Sequence, residues 1–111
     1  LRQAAQTMRN ELRGHDALGR WNDYTFAVLL PNTPSKGAVS VLGRIQVALS
    51  KPIKITEDGE TLHLDPAVGL AECRSDESSK TLVERVEQAL EQAGKEEAKM
   101  HLFKANPFLG F

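Results

Sequence analysis

Arg13 and Asp16, an arginine and an aspartate three residues apart, are the side chains here best suited to binding a small charged molecule. The planar fork of an arginine can bind a phosphate, or the O6/N7 edge of a guanine, through paired hydrogen bonds. An aspartate can accept from the N1–H and N2–H₂ donors of the same base. The alternative is a solvated ion pair at a helix end, and an R-x-x-D pattern alone favours that alternative.

Other residues capable of chemistry are poorly placed for it. His15, His63 and His101 are far apart in the sequence, and none has a partner at metal-ligand spacing, so we predict no metal site. Cys73 is the only cysteine, which excludes a disulfide framework and fits a reducing compartment. Because it closes an apolar strand, we expect its side chain to be buried.

The composition describes one globular domain without a general affinity for nucleic acid or membrane. Of 111 residues, 41% are hydrophobic and 26% charged, which suits a folded core and argues against disorder. The 14 basic and 15 acidic residues give a net charge of -1, so we expect no DNA or RNA binding. No apolar run approaches a membrane span or a signal peptide, and we expect a cytoplasmic chain that does not insert into membranes.

Helices and hairpins alternate along the chain and must position these residues. Periodicity and turn residues predict helices at 1–13, 33–50 and 79–98, hairpins at 20–31 and 53–64, an extension of the second hairpin at 67–73, and a short strand at 100–103. Thr33 is the expected N-cap of the second helix, with Pro34 at its first position. This order predicts an α+β domain, an antiparallel sheet with helices packed on it.

The same order, with four short segments, resembles the second half of a GGDEF, or diguanylate cyclase, domain. The five places of the signature G-G-D-E-F are taken by NDYTF at 22–26, and an apolar strand follows. The family's next helix resembles GAVSVLGRIQVAL at 37–49, and its strand ending S-I-G-I-A resembles PAVGLAEC at 66–73. The final helix resembles LVERVEQALEQAGK at 82–95. The resemblance implies a nucleotidyl-cyclase-like fold that lacks the family's N-terminal strand and helix.

The resemblance also implies a ligand for the R-x-x-D pattern. Many family members carry R-x-x-D five residues ahead of the signature turn, where it binds cyclic di-GMP as a feedback inhibitor. An arginine on the following helix completes their site. Here five residues separate Asp16 from Asn22, and Arg44 falls at the R-I pair of that helix, off its apolar stripe. We therefore expect cyclic di-GMP to bind at Arg13, Asp16 and Arg44.

The signature turn is where this sequence departs most from the family. The turn consists of Asn22, Asp23, Tyr24, Thr25 and Phe26, and Phe26 alone keeps the family residue. Tyr24 and Thr25 stand where the family holds metal with acidic side chains, and neutral oxygens cannot replace carboxylates for a hard cation. Gly94 stands where the family uses a lysine, and the family's other metal-binding aspartate precedes this segment. We therefore predict that the chain is not an enzyme and has no catalytic residues, metal or cofactor.

The predicted function is that of a catalytically inactive GGDEF-like domain acting as a cyclic di-GMP receptor or regulatory module. Binding would bias the docking of the domain, residues 1–104, against a neighbouring domain or protomer. Two intercalated ligands are expected if it behaves like the family. The apolar tail, residues 105–111, would dock or lead into another domain. The alternative is a ligand-free protein-interaction or dimerisation scaffold, because fold alone does not determine function.

Overall fold

The computed structural model describes residues 2–103, which form three helices and six strands. The elements are α1 (Arg2–Glu11), β1 (Ala17–Asn22), β2 (Thr25–Leu29), α2 (Ser35–Leu49), β3 (Ile53–Lys54), β4 (Thr61–Leu62), β5 (Val68–Leu70), α3 (Ser79–Lys95) and β6 (Met100–Leu102). The predicted α+β class, with helices beside small antiparallel sheets, is confirmed. The chain divides into two compact units between Asp65 and Pro66. The predicted boundary after residue 104 and the tail 105–111 lie outside the described residues.

Helices α1 and α2 form the apolar core of the first unit. Ala4 and Met8 lie one turn apart on α1, and Ile45 and Leu49 lie one turn apart on α2, so each helix offers the other a single stripe. Partly buried side chains packed against this cluster are Leu12, Leu18, Phe26, Val41, Leu42 and Leu64. The core therefore holds the end of α1, where the R-x-x-D turn starts, against the helix that carries Arg44.

A hairpin of β1 and β2 follows the R-x-x-D turn directly. Pairing begins at Ala17, earlier than the predicted residue 20, so the strand starts immediately after Asp16. Arg20 lies opposite Phe26, and the register shifts between Arg20 and Asn22, as in a β-bulge. The loop between the two strands is residues 23–24, within the predicted hairpin.

The other strands pair differently from the prediction. β3 and β4 form the expected second hairpin, with Ile53 opposite Leu62 and Gly59 in the loop at φ 93°, a conformation that favours glycine. The prediction that residues 67–73 extend this hairpin is wrong, because β5 pairs with β6 instead. This pair is parallel, with Gly69 opposite His101, and such a pair needs a crossover element, which here is α3.

The second unit packs α3 against β5 and β6. A Cβ on Gly69 would lie 2.2 Å from the backbone nitrogen of Leu90, so glycine is what allows β5 to approach α3 so closely. Ala89 and Ala93 are the most buried residues of α3. The helix starts after Ser78, whose hydroxyl caps it by accepting from the Thr81 N–H over 3.2 Å. Within residues 2–103, no helix is long and apolar enough to cross a bilayer.

Candidate functional site

The R-x-x-D residues form a tight turn between α1 and β1. The Asp16 N–H donates to the Arg13 carbonyl over 3.0 Å, and the Arg13 N–H donates to Oδ2 of Asp16 over 2.8 Å. The Arg13 guanidinium adds a fork, in which Nε donates to Oδ2 over 3.4 Å and Nη2 to Oδ1 over 3.3 Å. A single carboxylate therefore both closes the turn and orients the arginine.

The two side chains of this turn differ in exposure. The Asp16 side chain has 0% of its surface exposed, whereas 49% of the Arg13 side chain is exposed. The Arg13 backbone N–H lowers the pKa of Asp16 below its ordinary value of 3.8, although desolvation opposes this shift; the Arg13 guanidinium and His15 lower the pKa further. Asp16 is therefore a shielded anion at neutral pH, and Arg13 is the group presented to solvent.

A threonine from the loop before α2 also contacts this turn. The predicted N-cap role of Thr33 is wrong, because Pro34 occupies the N-cap of α2, with no side-chain cap bond. Instead, Nη2 of Arg13 donates to the Thr33 hydroxyl, and that hydroxyl donates to the Pro31 carbonyl over 3.0 Å. The sequence gives no indication of this contact, because 20 positions separate the two residues.

Arg44 projects from α2 and has a different acidic partner. Its Nε donates to Oε1 of Glu11 over 3.4 Å, and its Nη1 donates to the Ser40 hydroxyl over 3.3 Å. The Arg44 side chain is 55% exposed. Glu11 ends α1, two residues before Arg13. The structure thus brings Arg13 and Asp16 into contact and links Arg44 to the end of α1 through Glu11.

A shallow, open groove of about 450 Å³ lies beside Arg44 on the surface of α2. Its lining includes Glu11, Val39, Gly43, Arg44, Val47 and Lys51. Val47 is 66% exposed, so the groove combines apolar surface with the cationic groups of Arg44 and Lys51. A flat base can lie on such apolar surface while its phosphates stay near the cations.

The signature turn is held by the side chains of Asn22 and Arg20. The side-chain oxygen of Asn22 accepts from the Tyr24 N–H over 2.9 Å, which is the turn chemistry expected of asparagine. Arg20 donates from Nε to the Asn22 carbonyl over 3.2 Å and from Nη2 to the Asp23 carbonyl over 2.9 Å. Its guanidinium also lies 5.6 Å from the centre of the Phe26 ring. Arg20, which the sequence motifs did not single out, therefore holds this turn.

The side chains of the signature turn do not fit a metal ion by themselves. Asp23 is the single carboxylate among residues 22–26, and Tyr24 is 96% exposed. Across residues 2–103, no group of three or more His, Cys, Asp or Glu side chains is placed to hold a metal ion. A hard cation prefers several oxygen ligands with carboxylates among them, and this part of the chain does not assemble such a set.

The remaining reactive side chains have ordinary surroundings. Nδ1 of His101 lies 2.6 Å from Oε1 of Glu96, and both side chains are one-third exposed. Cys73 is exposed, so the prediction of a buried thiol is wrong. The reason is that β5 ends at Leu70, which leaves Cys73 in the loop beyond the strand.

The α+β fold, with an R-x-x-D turn leading directly into a hairpin, defines a domain of the nucleotidyl-cyclase-like class. The profile of the family "Diguanylate cyclase, GGDEF domain" matches residues 1–100. The chain belongs to the GGDEF domain family. A comparison with curated proteins gives no match.

Two solved diguanylate cyclases have similar structures. SiaD of Pseudomonas aeruginosa, crystallised with its activator SiaC, is 33% identical, with a TM-score of 0.76 over 83% of this chain and 35% of SiaD. The active GGEEF domain of a Vibrio cholerae diguanylate cyclase is 18% identical, with a TM-score of 0.74 over 96% of this chain and 67% of that chain. The second likeness shows the fold alone. The chain spans about a third of the length of SiaD.

These comparisons overturn one prediction from the sequence. The family match and the 33% identity to SiaD point to a diguanylate cyclase, so the prediction that the chain is not an enzyme is wrong. That prediction weighed the side chains at Tyr24, Thr25 and Gly94 and treated an upstream aspartate as lost. A chain that spans only 35% of SiaD gives no basis for counting upstream residues as lost.

Proposed function

We propose that this GGDEF domain binds cyclic di-GMP at the R-x-x-D turn and so regulates the diguanylate cyclase to which it belongs. The turn itself is the observation that carries the proposal. Asp16 fixes the guanidinium of Arg13, while 49% of the Arg13 side chain stays exposed. A guanidinium that is already oriented loses little freedom when it binds a phosphate or a guanine edge, and this favours affinity.

The two carboxylate oxygens of Asp16 have different partners in this turn. Oδ2 of Asp16 is committed to the turn by its 2.8 Å bond to the Arg13 backbone. Oδ1 is held by Arg13 Nη2 at the longer distance of 3.3 Å. Because the Asp16 side chain is shielded, its oxygens keep the Arg13 guanidinium in place while a phosphate or a guanine edge binds the exposed part of that group. Arg13 is therefore the residue that contacts the ligand, and Asp16 acts by holding it.

Arg44 and its groove supply the far side of the proposed site. Cyclic di-GMP carries phosphates and flat bases, and the groove offers both cationic groups and exposed apolar surface. Glu11 competes with the ligand for Arg44, but their 3.4 Å contact is exposed to solvent and weak. Two stacked ligands would extend from the turn towards a neighbouring domain or protomer.

The signature turn is a poorer place for the same ligand. Its side chains differ from G-G-D-E-F at Asn22, Asp23, Tyr24 and Thr25. Asp23 adds a negative charge that repels phosphate, and the backbone there carries side chains where glycines would allow close approach. The regulatory ligand is therefore assigned to the R-x-x-D turn. A guanine nucleotide as ligand agrees with the expected cytoplasmic location of the chain.

A protein-interaction scaffold is the second candidate function. SiaD was solved in complex with its activator SiaC, so at least one similar protein works with a protein partner. The hairpin of this chain also exposes aromatic surface, with Trp21 at 52% and Tyr24 at 96%. Such exposed aromatic side chains are enriched where proteins meet.

Calorimetric titration of the protein with cyclic di-GMP tests the first proposal against the second. We expect saturable binding that Arg13→Ala weakens by roughly ten-fold or more, since charge-assisted bonds contribute about 1–3 kcal/mol each. Arg9→Ala is the matched control, because Arg9 is an exposed arginine one turn earlier, on α1. Absence of binding at high micromolar ligand would leave the scaffold as the better account.

A further inference from the structure

We infer that Thr33 is a positioning residue for the cyclic di-GMP site. Its hydroxyl fixes the ligand-binding guanidinium of Arg13 and connects that group to the loop that begins α2. The inference rests on the proposed function and adds a component from a separate segment of the chain. Neither the R-x-x-D pattern nor the companion arginine includes this residue.

Arg13 is held by acceptors from separate segments. Its Nη2 donates to Oδ1 of Asp16, within the turn, and to the hydroxyl of Thr33, in the β2–α2 loop. Its Nε donates to Oδ2 of Asp16 over 3.4 Å. The bonds to Asp16 alone allow the fork to swing with the turn, whereas an acceptor on another segment fixes the plane of the guanidinium.

The orientation of the hydroxyl makes Thr33 an acceptor towards Arg13. A hydroxyl has one hydrogen to donate, and Thr33 gives it to the Pro31 carbonyl over 3.0 Å. Its lone pairs are then left for the guanidinium, which can only donate. The two hydrogen bonds are therefore compatible, because Arg13 donates to the Thr33 hydroxyl and that hydroxyl donates to the Pro31 carbonyl.

The backbone around Thr33 is stiff enough to give this hydroxyl a defined position. Pro31 and Pro34 have fixed φ angles, and Pro34 is the extended N-cap of α2. Asn32 adopts a φ of 54°, in the left-handed region that asparagine tolerates better than most residues. Thr33 is thus held between restricted residues at the entry to the helix that carries Arg44.

This arrangement couples the two parts of the proposed site. Thr33 belongs to the loop that leads into α2, and its hydroxyl holds Arg13 of the R-x-x-D turn. Arg44 lies further along the same helix and is linked to the end of α1 through Glu11. Thr33 therefore affects affinity through Arg13, without itself needing to contact the ligand.

Substitutions of the hydroxyl test this role by calorimetric titration with cyclic di-GMP. Thr33→Val keeps the shape but removes the hydroxyl, and we expect it to weaken binding roughly three- to ten-fold. Thr33→Ser keeps the hydroxyl and should bind within about two-fold of the parent protein. Thr7→Val is the matched control, because Thr7 on α1 donates to the Gln3 carbonyl over 2.9 Å and is likewise half-buried.

A second variant shows whether Thr33 acts through Arg13. Arg13→Lys keeps the charge but lacks the planar fork, so adding Thr33→Val to it should weaken binding no further. Additive losses of affinity in the double variant would overturn the inference. Equal losses of affinity for Thr33→Val and Thr33→Ser, with lowered melting temperatures, would overturn it as well. If the parent protein binds and Thr33→Val binds equally well, the inference fails while the proposed function stands. If the parent protein does not bind, the proposed function itself fails.

Discussion

Asp16 organises more of the candidate site than any other side chain. It is fully shielded, yet it holds the turn through the Arg13 backbone and holds the Arg13 guanidinium as well. These bonds all favour the ionised carboxylate, which is why the pKa of Asp16 lies below its ordinary value of 3.8. The ionised Asp16 carboxylate therefore both orients the Arg13 guanidinium and contributes to the stability of the fold.

Asp16→Asn should make the melting temperature of the protein depend less on pH. A carboxyl whose pKa is lower when folded stabilises the fold above its unfolded pKa of about 3.8, and this stabilisation is lost as pH falls through the folded pKa. We expect the variant to melt below the parent protein at pH 7, and the difference to shrink below pH 3.8. Thermal melts across this range measure it. Asp23→Asn, in the exposed hairpin loop, is the matched control.

Arg44 stands at the edge of the site rather than at its centre. It is 55% exposed and shares its guanidinium with Glu11 and Ser40, so part of its affinity for a ligand is offset by those contacts. Arg44→Ala should therefore weaken cyclic di-GMP binding by less than Arg13→Ala does, by roughly three- to ten-fold. Arg9→Ala, on α1 and outside the groove lining, is the control in that titration. A larger loss for Lys51→Ala, in the same groove, would place the ligand further along α2.

Strand β5 and helix α3 approach each other closely at Gly69. A Cβ on Gly69 would lie 2.5 Å from the Cα of Leu90 and 2.7 Å from the carbonyl carbon of Ala89, so backbone would have to move. Backbone cannot yield as a flexible side chain does. The close contact therefore depends on glycine in a way that sequence periodicity does not reveal.

Gly69→Ala should destabilise the protein, whereas Gly94→Ala should not. Overpacking of this kind costs about 1–3 kcal/mol, measured as the free energy of unfolding in urea. A Cβ on Gly94 meets nothing within 4 Å near the end of α3, where alanine has the better helix propensity. Equal effects of the two substitutions would mean that β5 does not lie against α3 as described.

Local patterns predicted the helices and hairpins but not their distant partners. The apolar stripes of α2 and α3 fixed their positions to within three residues, because helical burial repeats along the sequence. An apolar run predicted a strand at 67–73, of which residues 68–70 form one, but such a run carries no information about which strand it pairs with. In the same way, the contact of Arg13 with Thr33 joins positions 20 residues apart. The R-x-x-D turn is local, and its ion pair is the alternative that the three-residue spacing left open beside ligand binding.

For the whole molecule, the family assignment rests on the profile match over residues 1–100, and the proposed function rests on the first compact unit. That unit contains the R-x-x-D turn, the signature turn and Arg44. The two turns lie at opposite ends of strand β1. A ligand at one turn can therefore be distinguished from a ligand at the other by single substitutions that leave the core untouched.

The most direct test compares Arg13→Ala with Asp23→Ala in one calorimetric experiment, with cyclic di-GMP titrated into each protein in the same buffer. Asp16→Ala is measured in the same experiment, because it removes another side chain of the turn that contains Arg13. Our account predicts at least a ten-fold loss of affinity for Arg13→Ala and a clear loss for Asp16→Ala, with Asp23→Ala within about two-fold of the parent protein. Loss of binding in Asp23→Ala with full binding in Arg13→Ala would place the ligand at the signature turn and contradict the central claim.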